Sequence, residues 1–243
     1  MKTTLLTDFE KIRQIYNLYM KQDFPANELK PLAMIRKART QGRYDCYGIY
    51  DGDSFIGYAF FVKLMSGDRF HYLLDYLAIV QENRNRGCGG ELLRQLSELI
   101  SDADCIIAEV ENPDADSVIA ETKNSDTNGT PVEMENSNDN LIIAEGEDPN
   151  ADHIIVDGED PNADPNEQEK DKRERRLRFY LRNGYRTTGV KATVFGVDYL
   201  LLETNAAKPG LSHSKEEIRE IYAGLYQSMV PPPMYQTLIK INS

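Results

Sequence analysis

The stretch from Leu73 to Ile100 constrains this chain more than any other. Leu73 to Val80 is apolar throughout except for Asp75 and Tyr76, and reads as a buried strand. A polar turn with Arg84 and Arg86 follows, then Gly87, Gly89 and Gly90 in quick succession. Leu92, Leu93, Leu96, Leu99 and Ile100 then recur at helical spacing. The pattern is a strand, a glycine-rich turn and a helix N-terminus. Glycines let a ligand approach the backbone, and the first N–H groups of a helix have no partner within it. With the helix dipole and two arginines added, this is an anion site, and phosphate is the natural anion.

Elements can be read on both sides of it. Thr7-Asp8-Phe9-Glu10 has the form of a capping box, and Phe9, Ile12, Tyr16, Tyr19 and Met20 share one face of the helix it opens. Phe24-Pro25 breaks that helix. A second runs from about Asn27 or Leu29 to Arg39 and stops near Gly42. Tyr44–Tyr50 and Ser54–Met65 alternate as strands around the hairpin signal Asp51-Gly52-Asp53, and Phe70–Val80 makes a third antiparallel strand. Cys105–Val110 is the next strand. Lys172 to Gly184 is a basic helix with Leu177, Tyr180 and Leu181 on its apolar face. Two more strands, Tyr185–Val190 and Thr193–Glu203, follow. A helix over 214–228 then presents Ile218, Ile221, Tyr222, Leu225 and Met229, ended by Pro231-Pro232-Pro233, and Tyr235–Ile241 reads as a last short strand.

Charge divides the 243 residues unevenly. Residues 112–171 hold 18 acidic residues and two lysines, whereas the remaining 183 residues carry a net charge of +4. The overall −12 therefore belongs to one segment. That segment has no Phe, Tyr or Trp and contains a repeat. C-I-I-A-E-V-E-N-P-D-A-D begins at Cys105, L-I-I-A-E-G-E-D-P-N-A-D at Leu141 and H-I-I-V-D-G-E-D-P-N-A-D at His153. Two spare copies of a strand and its turn bury too little apolar surface for a core of their own, so an exposed acidic insertion is expected. Its D-x-N-x-D runs lack the glycine that a calcium loop requires, so a solvated loop is the better reading. Cys46, Cys88 and Cys105 have no disulfide or metal spacing, and His71, His153 and His213 no ligand spacing, so no metal is expected. Sparse cysteines, no signal-like start and no long apolar run point to a cytoplasmic protein without a membrane span. An acidic segment tethered beside a short basic helix argues against a nucleic-acid partner.

Two motifs then fit together. Arg84-x-x-Gly87-x-Gly89, directly after Leu77-Ala78-Ile79-Val80, lacks the Walker ending and the last glycine of the dinucleotide pattern. It resembles the acetyl-CoA pyrophosphate loop of the GNAT superfamily of N-acetyltransferases. Phe179-Tyr180-Leu181-Arg182-Asn183-Gly184-Tyr185 is similar to the other hallmark of that superfamily, an F-Y-x-x-x-G-F/Y element on the helix after the fifth strand. The resemblance spans residues 3–203 apart from the insertion, which is its main departure from the family.

The resemblance implies an α/β (α+β) fold. A mixed, mostly antiparallel central sheet is flanked by helices, with the long acidic repeat-containing insertion after the fifth strand. Residues 1–111 and 172–205 form the acetyl-CoA-binding domain, 112–171 the insertion, and 206–243 a C-terminal helix and short strand. The implied reaction is transfer of the acetyl group of acetyl-CoA, as co-substrate, to the amine of a small molecule or peptide. The implied cofactor contacts are the main chain of Leu77, Ala78 and Ile79 for the pantetheine arm, and Arg84, Asn85, Arg86, Gly87, Cys88, Gly89 and Gly90 around the pyrophosphate. Arg173, Arg175 and Arg176 are candidates for the adenosine phosphate or for a surface facing the acidic loop. Tyr180 matches the position of the acid that protonates the leaving thiolate, the alternative being a packing role. Glu109 is the first candidate for the base, Asp75 its rival as an acid in an apolar strand, and Glu111 a third. Tyr16, Tyr19 and Phe24 are candidates for the acceptor wall or the core. The alternative on the same fold is a non-catalytic acyl-CoA sensor, or a protein that recruits a partner through its acidic insertion. The acceptor and the oligomeric state are not legible.

Overall fold

The computed structural model describes residues 1–26, 28–115, 165–208 and 210–242. The second and third repeat copies lie outside these residues, as do the two D-x-N-x-D runs. Eight strands form one sheet in the order β1-β2-β3-β4-β5-β7-β6-β8. They are β1 (Lys2–Leu5), β2 (Tyr44–Asp51), β3 (Ser54–Ser66), β4 (Arg69–Ile79), β5 (Ala103–Glu111), β6 (Arg186–Val194), β7 (Val197–Thr204) and β8 (Ile239–Asn242). Neighbours run antiparallel except β4 and β5, which are parallel. The fold is thus the mixed, mostly antiparallel sheet flanked by helices that the sequence implies.

The helices are α1 (Phe9–Ile15), α2 (Lys21–Asp23), α3 (Leu32–Thr40), α4 (Cys88–Leu99), α5 (Pro165–Arg182), α6 (Lys215–Met229) and α7 (Pro232–Leu238). Alternation along the central strands builds two cores. Leu73, Cys105 and Ile107 point to one face, under α1, α3 and α6. Leu74, Ile106 and Ala108 point to the other, under α4 and α5. The long apolar strands are explained by this double burial, since a strand covered on both faces has no solvent side.

Several expectations shift. Asp8, not Thr7, caps α1, its carboxylate accepting from the Glu10 N–H at 2.9 Å and so satisfying the orphan donor two residues on. A π-helical stretch, Tyr16–Met20, joins α1 to α2. The second helix starts at Leu32 after Pro31, later than the apolar pattern suggested, because proline disfavours helical backbone in the residue before it. Helix α5 begins at Pro165, so the last residues assigned to the insertion are helical. The triple proline both ends α6 and opens α7, with Pro232 at the first helical position, where its missing N–H is no loss. The final strand is accordingly short and pairs with β6 rather than extending back to Tyr235.

Candidate active site

The site is made by a failure of pairing. β4 and β5 are in register from Phe70↔Ala103 to Leu74↔Ala108 and no further. Beyond that point β4 continues to Ile79 with β3 alone beside it, and β5 continues to Glu111 beside β7. The two strands splay, and a cavity of about 370 Å³ occupies the gap. It passes through the sheet, reaching Tyr180 and Gly89 on the α4/α5 face, and Asp75, Glu109 and Tyr226 on the α1/α3/α6 face. Gly57 helps to set the geometry. A side chain there would meet the Ala78 carbonyl at 2.6 Å, so glycine lets β3 hold the diverging end of β4 closely.

On the α4/α5 face much of the lining comes from two short runs that are close in sequence. Leu77, Ala78 and Ile79 line the cavity. The turn after them closes over Arg84, Asn85, Gly87, Cys88 and Gly89. Gly87 is the residue before α4 and adopts φ 72°, a left-handed conformation that costs other residues about 1–2 kcal/mol. It turns the chain so that the first N–H groups of α4 lie at the end of the splayed strand. Asn85 also has positive φ, 62°, and its buried Oδ1 atom lacks a hydrogen-bond partner among the described residues. A backbone cradle at a helix N-terminus suits a pyrophosphate. Arg84 differs from its expected place. Its Nε donates to the Ile79 carbonyl at 2.8 Å and its guanidinium pairs with Asp23 at 2.9 Å, so the side chain braces the turn against α2. Arg86 is exposed, Cys88 is half-buried and Gly90 lies in the first turn of α4. Arg173 and Arg176 both pair with Glu111, at 3.0 and 2.8 Å. Tyr180 is 7% exposed, packed against Phe179 and Tyr185. Burial pushes its phenol up to about 12, against the nearby charge of Arg176.

On the opposite face the contacts are side chains from distant segments. Glu109 is buried, and its Oε1 atom accepts hydrogen bonds from the hydroxyls of Tyr222 and of Tyr226, the latter at 2.6 Å. Burial raises its carboxyl above the usual range, while the two tyrosine donors and Lys30 pull it back down. Asp75 pairs with Lys30 at 2.5 Å and accepts from the Tyr44 hydroxyl. Glu109 and Asp75 therefore differ: one carboxylate has a cation in contact, the other is held by neutral phenols. Tyr76 clamps the loop between α2 and α3, donating to the Glu28 carbonyl at 2.9 Å and accepting the Lys30 N–H at 2.8 Å. Phe24 lines the cavity, whereas Tyr16 and Tyr19 belong to the core under α1.

Sequence reasoning missed Lys30, Tyr44 and Tyr226, and read Tyr222 as packing. The one available signal was the pair of tyrosines four residues apart on α6, two phenols on a face that otherwise needed none. His213 shows the same limit. It lacks ligand spacing in sequence, yet it contacts Glu203 at 2.8 Å and Asp104 at 3.2 Å, with Arg186 also on Glu203 at 3.1 Å. This buried network anchors the chain where α6 begins.

Residues 10–119 match the Acetyltransferase (GNAT) family. Over those residues, a little under half of the chain, the sequence carries a GNAT-type acetyltransferase domain. No curated protein matches the sequence. Among solved structures, a Bacteroides thetaiotaomicron protein described as a GNAT-family acetyltransferase is 16% identical, with a TM-score of 0.55 over 94% of this chain and 98% of its own. The aminoglycoside 6'-N-acetyltransferase of Enterococcus faecium is 12% identical over 87% of this chain and 100% of its own, with a TM-score of 0.48. The ribosomal-protein-S18-alanine N-acetyltransferase of Escherichia coli is also 12% identical, over 87% and 97%, at 0.46. At such identities the likeness is one of fold. Among the described residues no helix is long and apolar enough to cross a membrane.

Proposed function

We propose that the protein is an N-acetyltransferase that moves the acetyl group of acetyl-CoA directly to an amine. The observation that carries this reading is that Glu109 and Tyr180 approach one cavity from opposite faces of the sheet. They are close enough for the charge of Glu109 to raise the phenol of Tyr180 further. The backbone edge of Leu77, Ala78 and Ile79 and the cradle at Gly87, Gly89 and Gly90 fit the pantetheine arm and pyrophosphate. The co-substrate supplies an acetyl thioester. An amine attacking it forms a C–N bond as the C–S bond breaks, and two protons must move. Glu109 takes the one shed by the nitrogen, directly or through water. Tyr180 gives one to the departing sulfur and regains it from solvent. A phenol raised to about 12 stays protonated at neutral pH and so is available as the acid. Asp75, with Lys30 in contact, serves to hold charge and shape.

Mixing the protein with acetyl-CoA and a panel of amines and following free thiol tests this. Thiol release that depends on the amine and collapses in Tyr180→Phe is expected. Acetyl-CoA binding without turnover, unaltered by that substitution, would instead favour a sensor.

A further inference from the structure

Five carboxylates line the cavity: Asp23, Glu28, Asp75, Glu109 and Glu111. Three have a cation in contact. Arg84 pairs with Asp23, Lys30 with Asp75, and Arg173 and Arg176 with Glu111. Among the described residues Glu28 and Glu109 have none within ion-pair distance. Glu109 has a role in moving a proton. Glu28 has no role in the acetyl transfer, yet its place is closely fixed. Its N–H donates to the Pro25 carbonyl at 3.0 Å, and its own carbonyl receives the Tyr76 hydroxyl. A half-buried carboxylate with no cation in contact is costly: burial and the charge of Glu111 raise its carboxyl, and the more distant Arg176 offsets only part of the rise. A cation arriving with the substrate would remove that cost.

The surrounding wall says what kind of cation. Phe24, Tyr199 and Phe195 bring aromatic rings to the cavity, and Met34, Val230 and Met234 bring apolar side chains. Ammonium groups are drawn to aromatic faces, and methylenes to the rest. Phe195 stands at the rim with φ 50°, its N–H bonded to the Leu238 carbonyl at 3.0 Å. A non-glycine residue kept in that region by the C-terminal segment is a feature of sites where shape matters. Size is the last constraint. The cavity volume is near the lower end for ligand pockets, and it includes the splay that the pantetheine arm needs. What remains accommodates a small molecule.

We propose that the acceptor is a small diamine, whose reacting nitrogen sits at Glu109 and whose second, charged nitrogen is held by Glu28 against the aromatic wall. This rests on the acetyl-transfer reading of the site. The test is amine-dependent thiol release with acetyl-CoA, comparing short α,ω-diaminoalkanes, n-alkylamines of the same length, and short peptides with free α-amines. Diamines are expected to exceed the matching alkylamines by at least about tenfold in kcat/KM, the value of one good charge contact. Glu28→Gln is expected to cut that ratio about tenfold through KM, and Glu28→Lys to reverse it. Alkylamines or peptides as the better acceptors, or a ratio indifferent to both Glu28 variants, would overturn the diamine assignment and leave the transferase reading intact. No thiol release with any amine would overturn both.

Discussion

The two faces of the splayed sheet build the same site by different means. On the α4/α5 side the site is built largely from two short local runs, Leu77 to Ile79 and the turn from Arg84 to Gly89, whose glycines leave the main chain open to a ligand. On the other side they are side chains drawn from positions as far apart as Asp23 and Met234. A main-chain site depends on local conformation and tolerates many side chains. A side-chain site is specific, and each of its members depends on a remote partner: Glu109 on α6, Asp75 on Lys30, the loop of Glu28 on Tyr76. The first suits a ligand shared by many proteins, the second an acceptor particular to one.

The sharpest way to break that contrast is Glu109→Gln. The amide keeps the shape and can still accept from both tyrosines, so the cavity should persist. Removing a positioned base costs about 10²–10⁴-fold in rate, and we expect about a thousandfold loss in kcat/KM with acetyl-CoA affinity, measured by calorimetry, unchanged. An equal loss of affinity would mean that the two faces are not separable. Tyr180→Phe comes next, at about a hundredfold in kcat. If the phenol acts on the departing sulfur, a poorer leaving group should suffer more than a better one. If thioesters of low-pKa thiols are slowed as much as acetyl-CoA, Tyr180 is a packing residue.

The contrast also explains what could be read in advance. The strand, turn and helix around Gly87 are local, and local periodicity and turn chemistry encode them. Phe179 to Tyr185 is local too, and with Gly87 it fixed both the fold and the position of Tyr180. Glu109 stood out only as an acid in an apolar strand, as did Asp75, and nothing in the sequence separates the two. What distinguishes them is contact with Lys30 in one case and with Tyr222 and Tyr226 in the other. Those contacts come from chain segments more than forty residues from Asp75 and more than a hundred from Glu109, and no pattern in the sequence joins them. The inward turn of Arg84 was hidden for the same reason, because Asp23 lies 61 positions away.

On the main-chain side the corresponding test is Gly87→Val. A β-branched residue at φ 72° carries strain of about 1–2 kcal/mol, which corresponds to roughly tenfold. Acetyl-CoA should bind about ten times more weakly, while the acceptor KM, measured at saturating acetyl-CoA, stays within about twofold. A change confined to the acceptor KM would reverse the assignment of the two faces.

The smallest expected effect concerns how α6 tunes its carboxylate. Burial raises Glu109, and the tyrosine hydroxyls oppose the rise by bonding to the charged form. The rate should therefore climb with pH through a limb above the ordinary carboxylate range. No fall from Tyr180 is expected until the phenol ionises near 12. Tyr226→Phe removes one donor to the carboxylate, so the limb should move up. The rate well above the limb should stay within about twofold. Linkage gives a second readout of the same group. The folded state holds this proton more tightly than the unfolded chain, so its stability advantage is complete below the unfolded pKa. It is lost as pH rises toward the folded value. Thermal melts of the wild type should therefore fall relative to Glu109→Gln across that window, and the window should widen upward in Tyr226→Phe. A limb that moves down in Tyr226→Phe would show that the hydroxyls bond to the protonated acid and that α6 holds Glu109 neutral rather than readying it as a base.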